Sequence, residues 1–178
     1  FEAGATMVTH LFNAMSQMGN REPGVLGAAL DTPTVWTGLI ADGIHVHPAS
    51  IGVAVRSKKG PARIFLVTDA MSQTGTDITT MTLNGRTIYR AEGALRLADG
   101  TLAGADLDMI DAVNFMIDVV GLPAEEVFRM ASLYPAQALQ ADDTLGHLAA
   151  GTVASFVHLS ADRQVQSTWI AGEKVWAA

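Results

Sequence analysis

Three short apolar runs in this chain lead to a residue that can bind a metal ion or carry a proton. The runs end at His10, at His45 and at Asp69. An apolar run bounded by turn residues predicts a strand that is buried on both faces. Buried parallel strands belong to α/β folds, in which reacting groups gather at the carboxyl ends of the strands. Three such residues in succession therefore predict a metal or acid–base site at one end of a parallel sheet.

Asp69 is the candidate for proton transfer. It closes an apolar run over residues 64–68, so we expect its carboxylate to be partly desolvated. Beside an activated water it could accept a proton and then deliver that proton to a leaving group. The alternative is a helix N-cap for a segment that begins at Ala70. We favour proton transfer because a purely structural carboxylate is costly after so long an apolar run.

The histidines allow two interpretations each. His10 could be a ligand for zinc or iron, or a hydrogen-bonded histidine of the core. His45 and His47 are two residues apart, so on an extended chain they would point the same way and could chelate an ion. The intervening valine and the following Pro48 suit a loop equally well.

Arg21 lies in a polar loop between Gly19 and the Pro23-Gly24 pair. Its planar guanidinium could bind a phosphate or a carboxylate. The alternative is an ion pair with Glu22 or Asp31. The chain contains no Walker motif, no G-x-G-x-x-G and no G-x-S-x-G, so nucleotide binding and serine hydrolysis lack their usual sequence support.

Composition narrows the class of protein. The 178 residues are 49% hydrophobic and 16% charged, which is typical of a buried α/β core. The net charge of −7 argues against a nucleic-acid partner, and no apolar run approaches the ~20 residues needed to span a bilayer. The absence of cysteine excludes thiolate zinc sites and suits a reducing compartment, so we expect a cytoplasmic protein whose metal is held by histidine and carboxylates. The chain starts without Met and is shorter than the ~250 residues of a complete eight-stranded barrel, so we expect the carboxyl-terminal part of a longer polypeptide.

The pattern of elements changes along the chain. Strands and helices alternate up to about residue 70, with helices predicted at 24–31 and 48–57 and a strand at 35–40. The Asn84-Gly85 pair predicts a hairpin within an antiparallel insertion at about 76–101. Helices are predicted from Asp106 or Asp108 to 120, at 123–130, and near 134. The tail returns to strands, at 153–159 and in a hairpin that turns at residues 171–172.

Several segments resemble one family in its own order. They are residues 9–15 (THLFNAM), 19–24 (GNREPG), 40–46 (IADGIHV), 66–70 (LVTDA), 85–89 (GRTIY), 100–104 (GTLAG), 131–136 (ASLYPA) and 145–151 (LGHLAAG). The chain resembles the N-acetylglucosamine-6-phosphate deacetylase family of the amidohydrolase superfamily over nearly its whole length. The second and third segments are specific to the deacetylases, whereas the fourth and the last are common to the superfamily.

The resemblance implies a fold and a division into domains. Residues 1–144 would be the last strands and helices of a metal-dependent (β/α)8 barrel, a TIM barrel, with the antiparallel insertion at about 76–101. Residues 145–178 would be strands of a small β-sandwich domain.

The resemblance also implies a role for individual residues. His10 would be a metal ligand and Asp69 the catalytic acid/base. The sugar-phosphate pocket would be lined by Asn13, Ala14, Arg21, His45, Ala103, Gly104 and Ala105. The family often has serine where Ala103 and Ala105 stand, so only main-chain contacts are expected there.

The implied reaction is hydrolysis of the acetamide of N-acetylglucosamine 6-phosphate to glucosamine 6-phosphate and acetate. The enzyme would use a divalent metal ion, most simply zinc, with iron, cobalt, manganese or nickel as alternatives. It would also form a homodimer. The family's remaining ligands, a glutamate and a histidine, would lie upstream of Phe1, so this chain alone is expected to be inactive. Two other readings stay open: an amidohydrolase acting on a non-phosphorylated or cyclic amide, and a scaffold that lacks a functional metal site.

Overall fold

The first part of the fold is a parallel sheet whose strands come from the apolar runs. A computed structural model describes residues 1–178, and its sheet has the order β1-β2-β3. The strands are β1 (Met7–Val8), β2 (Trp36–Ile40) and β3 (Ile64–Val67). Both pairings are parallel, and four of the five residues of β2 are buried. The predicted α/β class is confirmed. The run before His10 forms a shorter strand than its length suggests, because the chain turns immediately afterwards.

Two helices connect these strands and cover the sheet. Helices α1 (Gly24–Asp31) and α2 (Pro48–Ser57) have the predicted bounds. Proline is tolerated in the first turn of a helix because its missing N–H would have no partner there. Leu26 of α1, Ile51 of α2 and Leu39 of β2 belong to one core cluster of 22 buried residues, so the helices and sheet share a core.

The insertion is a four-stranded antiparallel sheet of order β4-β5-β6-β7. Its strands are β4 (Thr80–Leu83), β5 (Arg86–Ala91), β6 (Ala94–Leu97) and β7 (Leu102–Ala105). Asn84 and Gly85 have φ of 51° and 75°, as a two-residue hairpin requires, and the predicted turn is confirmed. The sheet continues past the predicted limit of 101, because β7 pairs with β6 before the chain returns to the core.

Three helices follow, α3 (Met109–Asp118), α4 (Ala124–Ala131) and α5 (Leu133–Ala138). Asp108 stands at the N-cap of α3, although its side chain makes no capping hydrogen bond. The helix ends two residues before the predicted position, at Asp118. No helix in the structure has both the length and the apolar character needed to cross a membrane.

The tail forms a separate antiparallel sheet of order β10-β9-β8. Its strands are β8 (Phe156–Leu159), β9 (Val165–Ile170) and β10 (Glu173–Ala177), and the predicted hairpin at residues 171–172 is confirmed. Phe156 and Trp169 stack across β8 and β9 with ring centroids 5.6 Å apart. Arg163 joins this sheet to α3, since it donates to Asn114 at 2.7 Å and to Asp118 at 2.6 Å.

Candidate active site

The carboxyl ends of the three parallel strands carry His10, His45 and Asp69, the site residues predicted from the sequence, and also Asp42. His10 lies two residues after β1, Asp42 and His45 follow β2, and Asp69 lies two residues after β3. Because the strands are parallel neighbours in the order β1-β2-β3, these residues lie along one edge of the sheet. The main-chain N–H of Leu11 donates to the carbonyl of Gly38 at 2.7 Å, which fixes the turn at His10 against β2.

His10 has a buried ring nitrogen without a partner. Its Nδ1 atom is shielded from solvent and makes no hydrogen bond, whereas buried polar atoms normally have a partner. A histidine that served only the core would be hydrogen-bonded at this atom. An imidazole nitrogen in this state fits the chemistry of a metal ligand, and the ligand role of His10 stays a prediction.

Asp69 is exposed rather than partly desolvated. The predicted desolvation is wrong, because the residue lies beyond the last buried position of β3. The N-cap alternative is also wrong: Ala70 forms a β-bridge with Ala105 and no helix starts there. The backbone of Asp69 has a φ of 56°, and its carbonyl accepts a hydrogen bond from the Ala105 N–H at 2.9 Å. The carboxylate is therefore free to act on a ligand while its backbone is held.

Asp42 and His45 form a buried pair. His45 Nδ1 lies 2.6 Å from Asp42 Oδ2, and the two side chains are 4% and 6% exposed. Asp42 Oδ1 also accepts the main-chain N–H groups of Ile44 and His45, each at 2.8 Å. Burial raises the pKa of Asp42, but the hydrogen bonds from His45 and Ile44 and the charge of His45 outweigh it and hold that pKa below the ordinary 3.8. Asp42 therefore fixes the orientation of the His45 ring.

The predicted chelating pair of His45 and His47 does not form. His47 is exposed, and its Nδ1 accepts the main-chain N–H of Ala49 at 3.1 Å, capping α2. No role was predicted for Asp42 from the sequence. An aspartate whose side chain accepts the N–H groups two and three residues later forms an Asx-turn, which can be recognised from sequence. The spacing of Asp42 and His45 could therefore have indicated this pair.

Arg21 is exposed and forms no ion pair. The predicted alternative of a salt bridge is wrong, because Asp31 pairs with Lys59 instead, and a Glu22 carboxylate oxygen lies 3.4 Å from the Gly24 N–H. The guanidinium is thus available to an anion.

The remaining predicted residues fall into two groups. Asn13 and Ala14 share the turn that follows His10, and the Asn13 N–H donates to the His10 carbonyl at 2.8 Å. Ala103, Gly104 and Ala105 lie on β7, which runs against the segment at Asp69. A Cβ built on Gly104 would come within 2.8 Å of the Met71 side chain and 3.2 Å of the Asp69 carbonyl oxygen, so glycine permits this close approach.

An ion pair between β5 and Asp106, the residue that follows β7, braces the segment after Asp69 and was not predicted from the sequence. Arg90 Nε lies 2.8 Å from Asp106 Oδ2. The same guanidinium donates to the carbonyl of Thr76 at 2.6 Å and to that of Gln73. Since the partners are 14 to 17 residues apart, no local pattern indicates the contact.

The chain does not contain a complete set of metal ligands. No group of three or more histidine, cysteine, aspartate or glutamate side chains lies close enough to hold a metal ion. At this edge of the sheet, His10 is the one side chain that fits the role of a metal ligand. Asp69 is a nearby carboxylate, and it follows β3, two strands away from β1.

Known proteins resemble this chain in sequence and in fold. The N-acetylgalactosamine-6-phosphate deacetylase of Shewanella sp. (strain ANA-3) is 41% identical over 177 residues, which cover 99% of this chain and 44% of the relative. The N-acetylglucosamine-6-phosphate deacetylase of Vibrio furnissii is 38% identical over 176 residues, 99% of this chain and 44% of the relative. The crystal structure of N-acetylglucosamine-6-phosphate deacetylase from Pasteurella multocida superposes with a TM-score of 0.94 at 37% identity, over 99% of this chain and 46% of that one.

The chain thus spans less than half the length of these relatives. The sequence model of the family described as "Amidohydrolase family" matches residues 1–175 of this chain, from the first strand to the last. This chain belongs to the amidohydrolase family.

Proposed function

We propose that this chain is part of an enzyme that hydrolyses the acetamide of N-acetylglucosamine 6-phosphate, giving glucosamine 6-phosphate and acetate. The observation that carries the proposal is the order of the parallel strands, which places His10, the Asp42–His45 pair and Asp69 along one edge. The names of the relatives, all amino-sugar phosphate deacetylases, support the class of substrate.

Each residue has a chemical task in this reaction. A divalent metal ion, zinc in the first instance, would supply Lewis-acid chemistry when bound: it would polarise the amide carbonyl and lower the pKa of its bound water. His10 would contribute one imidazole nitrogen to its coordination. Asp69 accepts the proton of the attacking water and then protonates the departing amine, which would otherwise be a very poor leaving group. Alone, this chain is proposed to bind metal weakly and to be inactive, since it supplies one ligand.

The phosphate would be recognised by Arg21 and His45. Asp42 keeps the His45 ring in one orientation, and Arg21 carries a charge that no protein carboxylate neutralises. Binding energy from the phosphate positions the acetamide at the reacting edge. Asn13, Ala14 and the main chain of residues 103–105 would complete the sugar pocket.

N-acetylgalactosamine 6-phosphate is a second candidate substrate. The Shewanella relative named for this sugar phosphate is 41% identical to the chain, against 38% for the Vibrio relative named for N-acetylglucosamine 6-phosphate. The two sugars differ in the configuration of one ring hydroxyl. Measuring kcat/KM on both sugar phosphates with the complete enzyme decides between them.

Arg21→Ala tests the class of substrate in the complete enzyme. The substitution should reduce kcat/KM for the phosphorylated sugar about 10- to 150-fold more than for free N-acetylglucosamine, because only the phosphate loses a charge-assisted hydrogen bond of about 1.5–3 kcal/mol. Arg86→Ala removes another exposed arginine, on β5, and is the matched control. Equal losses on both sugars would reject the phosphate role and favour a hydrolase of non-phosphorylated or cyclic amides.

We further propose that residues 1–144 are the carboxyl-terminal part of the catalytic barrel, and that residues 145–178 belong to a small β-sandwich domain. The separate tail sheet supports this division. A homodimer with Arg21 near the subunit interface is also proposed, and it is supported by the exposure of the loop at residues 19–23. Sedimentation of the complete protein at several concentrations tests the dimer.

A further inference from the structure

A polar cavity of about 360 Å³ lies at the opposite end of the sheet from the candidate active site. Its lining residues are Val55, Lys58, Arg63, Ile64, Glu126, Arg129, Met130 and Tyr134. Ile64 begins β3, whereas Asp69 follows the end of the same strand. Five residues of extended chain span roughly 16 Å, so the cavity is a separate location on the molecule.

Two of the lining cations have no protein counter-charge. Lys58 and Arg63 form no ion pair, although Arg129 pairs with Glu125. The single lining carboxylate, Glu126, receives the hydroxyl of Tyr134, with both oxygens at 2.9 Å. This carboxylate therefore has a neutral partner. Lys58 Nζ donates to the main-chain carbonyls of Thr32 at 2.9 Å and Lys59 at 2.7 Å, which leaves its third N–H for a ligand, and the guanidinium of Arg63 is exposed.

The electrostatics of the cavity favour an anion. Partial burial and the nearby charge of Arg63 hold the pKa of Lys58 below its ordinary 10.5. Burial and the carboxylate of Glu126 raise the pKa of Tyr134 above 10.0 and outweigh the opposing effect of the neighbouring Arg63, so the phenol stays protonated and continues to occupy Glu126. Two like charges that repel each other in a recess, within a chain of net charge −7, would be relieved by a dianion.

We propose that this cavity binds a small phosphorylated molecule, whose phosphate is held by Lys58 and Arg63. Lysine and arginine are the usual partners of phosphate, and arginine adds a planar fork that can bond two oxygens. The volume of about 360 Å³ is within the range of small-molecule sites and leaves room for an organic group beside the phosphate. Val55, Ile64 and Met130 supply the apolar part of the wall.

Calorimetric titration with glycerol 3-phosphate tests the proposal, at constant ionic strength set with chloride. The full chain carries Arg21→Met in every sample, so that the proposed substrate site does not contribute. We expect saturable binding, weakened at least about tenfold by Lys58→Met or by Arg63→Met, as the loss of one charge-assisted hydrogen bond predicts. Arg56→Met is the control. It removes an exposed cation from the last turn of α2, the helix that ends next to Lys58, but Arg56 does not line the cavity, so the dissociation constant should not change.

A variant that should strengthen binding keeps the test decisive if Lys58→Met or Arg63→Met fails to fold. Glu126→Gln retains an oxygen for the Tyr134 hydroxyl and removes the negative charge beside the ligand, so binding should become tighter. Absence of saturable binding at millimolar ligand would overturn the proposal. So would equal weakening in Arg56→Met and Arg63→Met, or weaker binding in Glu126→Gln. Because the readout is binding rather than turnover, these outcomes are independent of the proposed deacetylase activity.

Discussion

Replacing Asp42 with alanine should destabilise the protein by about 3–5 kcal/mol. The substitution leaves three donors without an acceptor: His45 Nδ1, now 2.6 Å from the carboxylate, and the N–H groups of Ile44 and His45, each at 2.8 Å. A buried donor left unpaired costs about 1–3 kcal/mol. Ile44 is exposed, so water can replace part of its bond, whereas the His45 side chain is 4% exposed and has no such replacement.

Asp42→Asn separates the charge from the shape. The amide oxygen can still accept both main-chain N–H groups, and only the charge-assisted bond to His45 is lost. We expect a loss of about 1.5–3 kcal/mol, between the wild-type and alanine values. If the two variants were equally destabilised, the main-chain bonds would carry no energy. If both lost less than about 1 kcal/mol, the buried pair would not contribute as its geometry implies.

Urea unfolding as a function of pH gives the second readout. Because the folded-state pKa of Asp42 lies below the ordinary 3.8, its carboxylate contributes stability that is fully present above pH 3.8. That contribution is lost as the pH falls through the lower, folded-state value. The difference in free energy of unfolding between the wild-type protein and Asp42→Asn should therefore shrink only in the acid range. In the complete enzyme, Asp42→Asn should raise KM for the phosphorylated sugar more than it lowers kcat, since the His45 ring loses its fixed orientation.

Three more substitutions in the complete enzyme test the candidate site. His10→Ala should lower metal content as well as activity, measured by elemental analysis, and normal metal content would make His10 a core residue. Asp69→Asn should keep metal content and lower kcat at least ~10²-fold, the low end for a positioned acid/base; near-normal kcat would remove Asp69 from the mechanism. Arg90→Met should lower the free energy of unfolding by about 2–3 kcal/mol through loss of a half-buried charged network, and should lower kcat because the segment after Asp69 loses its brace. Arg86→Met, exposed on the same strand, is the control, and equal effects of the two would reject the bracing role.

Local patterns were enough to predict most elements of the fold. Alternating apolar runs indicated the parallel sheet, and α1 begins and ends at the predicted residues. The Asn84-Gly85 turn needed only its own two residues, because the hairpin geometry demands positive φ there. Such features depend on chain neighbours, so a single sequence contains their full cause.

Contacts between distant segments could not be predicted in the same way. Arg90 reaches Asp106 across the insertion, and the cavity at Lys58 and Arg63 is closed by Glu126, more than 60 residues further along. The exposure of Asp69 depends on where β3 leaves the sheet, which the apolar run did not reveal. The residue types were enough to show which side chains could react. Which of them are buried and which are paired could be known only from the folded structure.

Non-glycine residues with positive φ occur both in hairpin turns and after the parallel strands. Asn84 and Ala171, with φ of 51°, lie in two-residue hairpins, where this conformation is the turn itself. His10 and Asp69, with φ of 34° and 56°, each follow a parallel strand instead, and a strained non-glycine residue costs about 1–3 kcal/mol. That strain is offset by long-range bonds, such as the one from the Ala105 N–H to the Asp69 carbonyl. The fold thus stabilises strained conformations at the proposed metal ligand, His10, and at the proposed acid/base, Asp69, and strain of this kind is concentrated at functional sites.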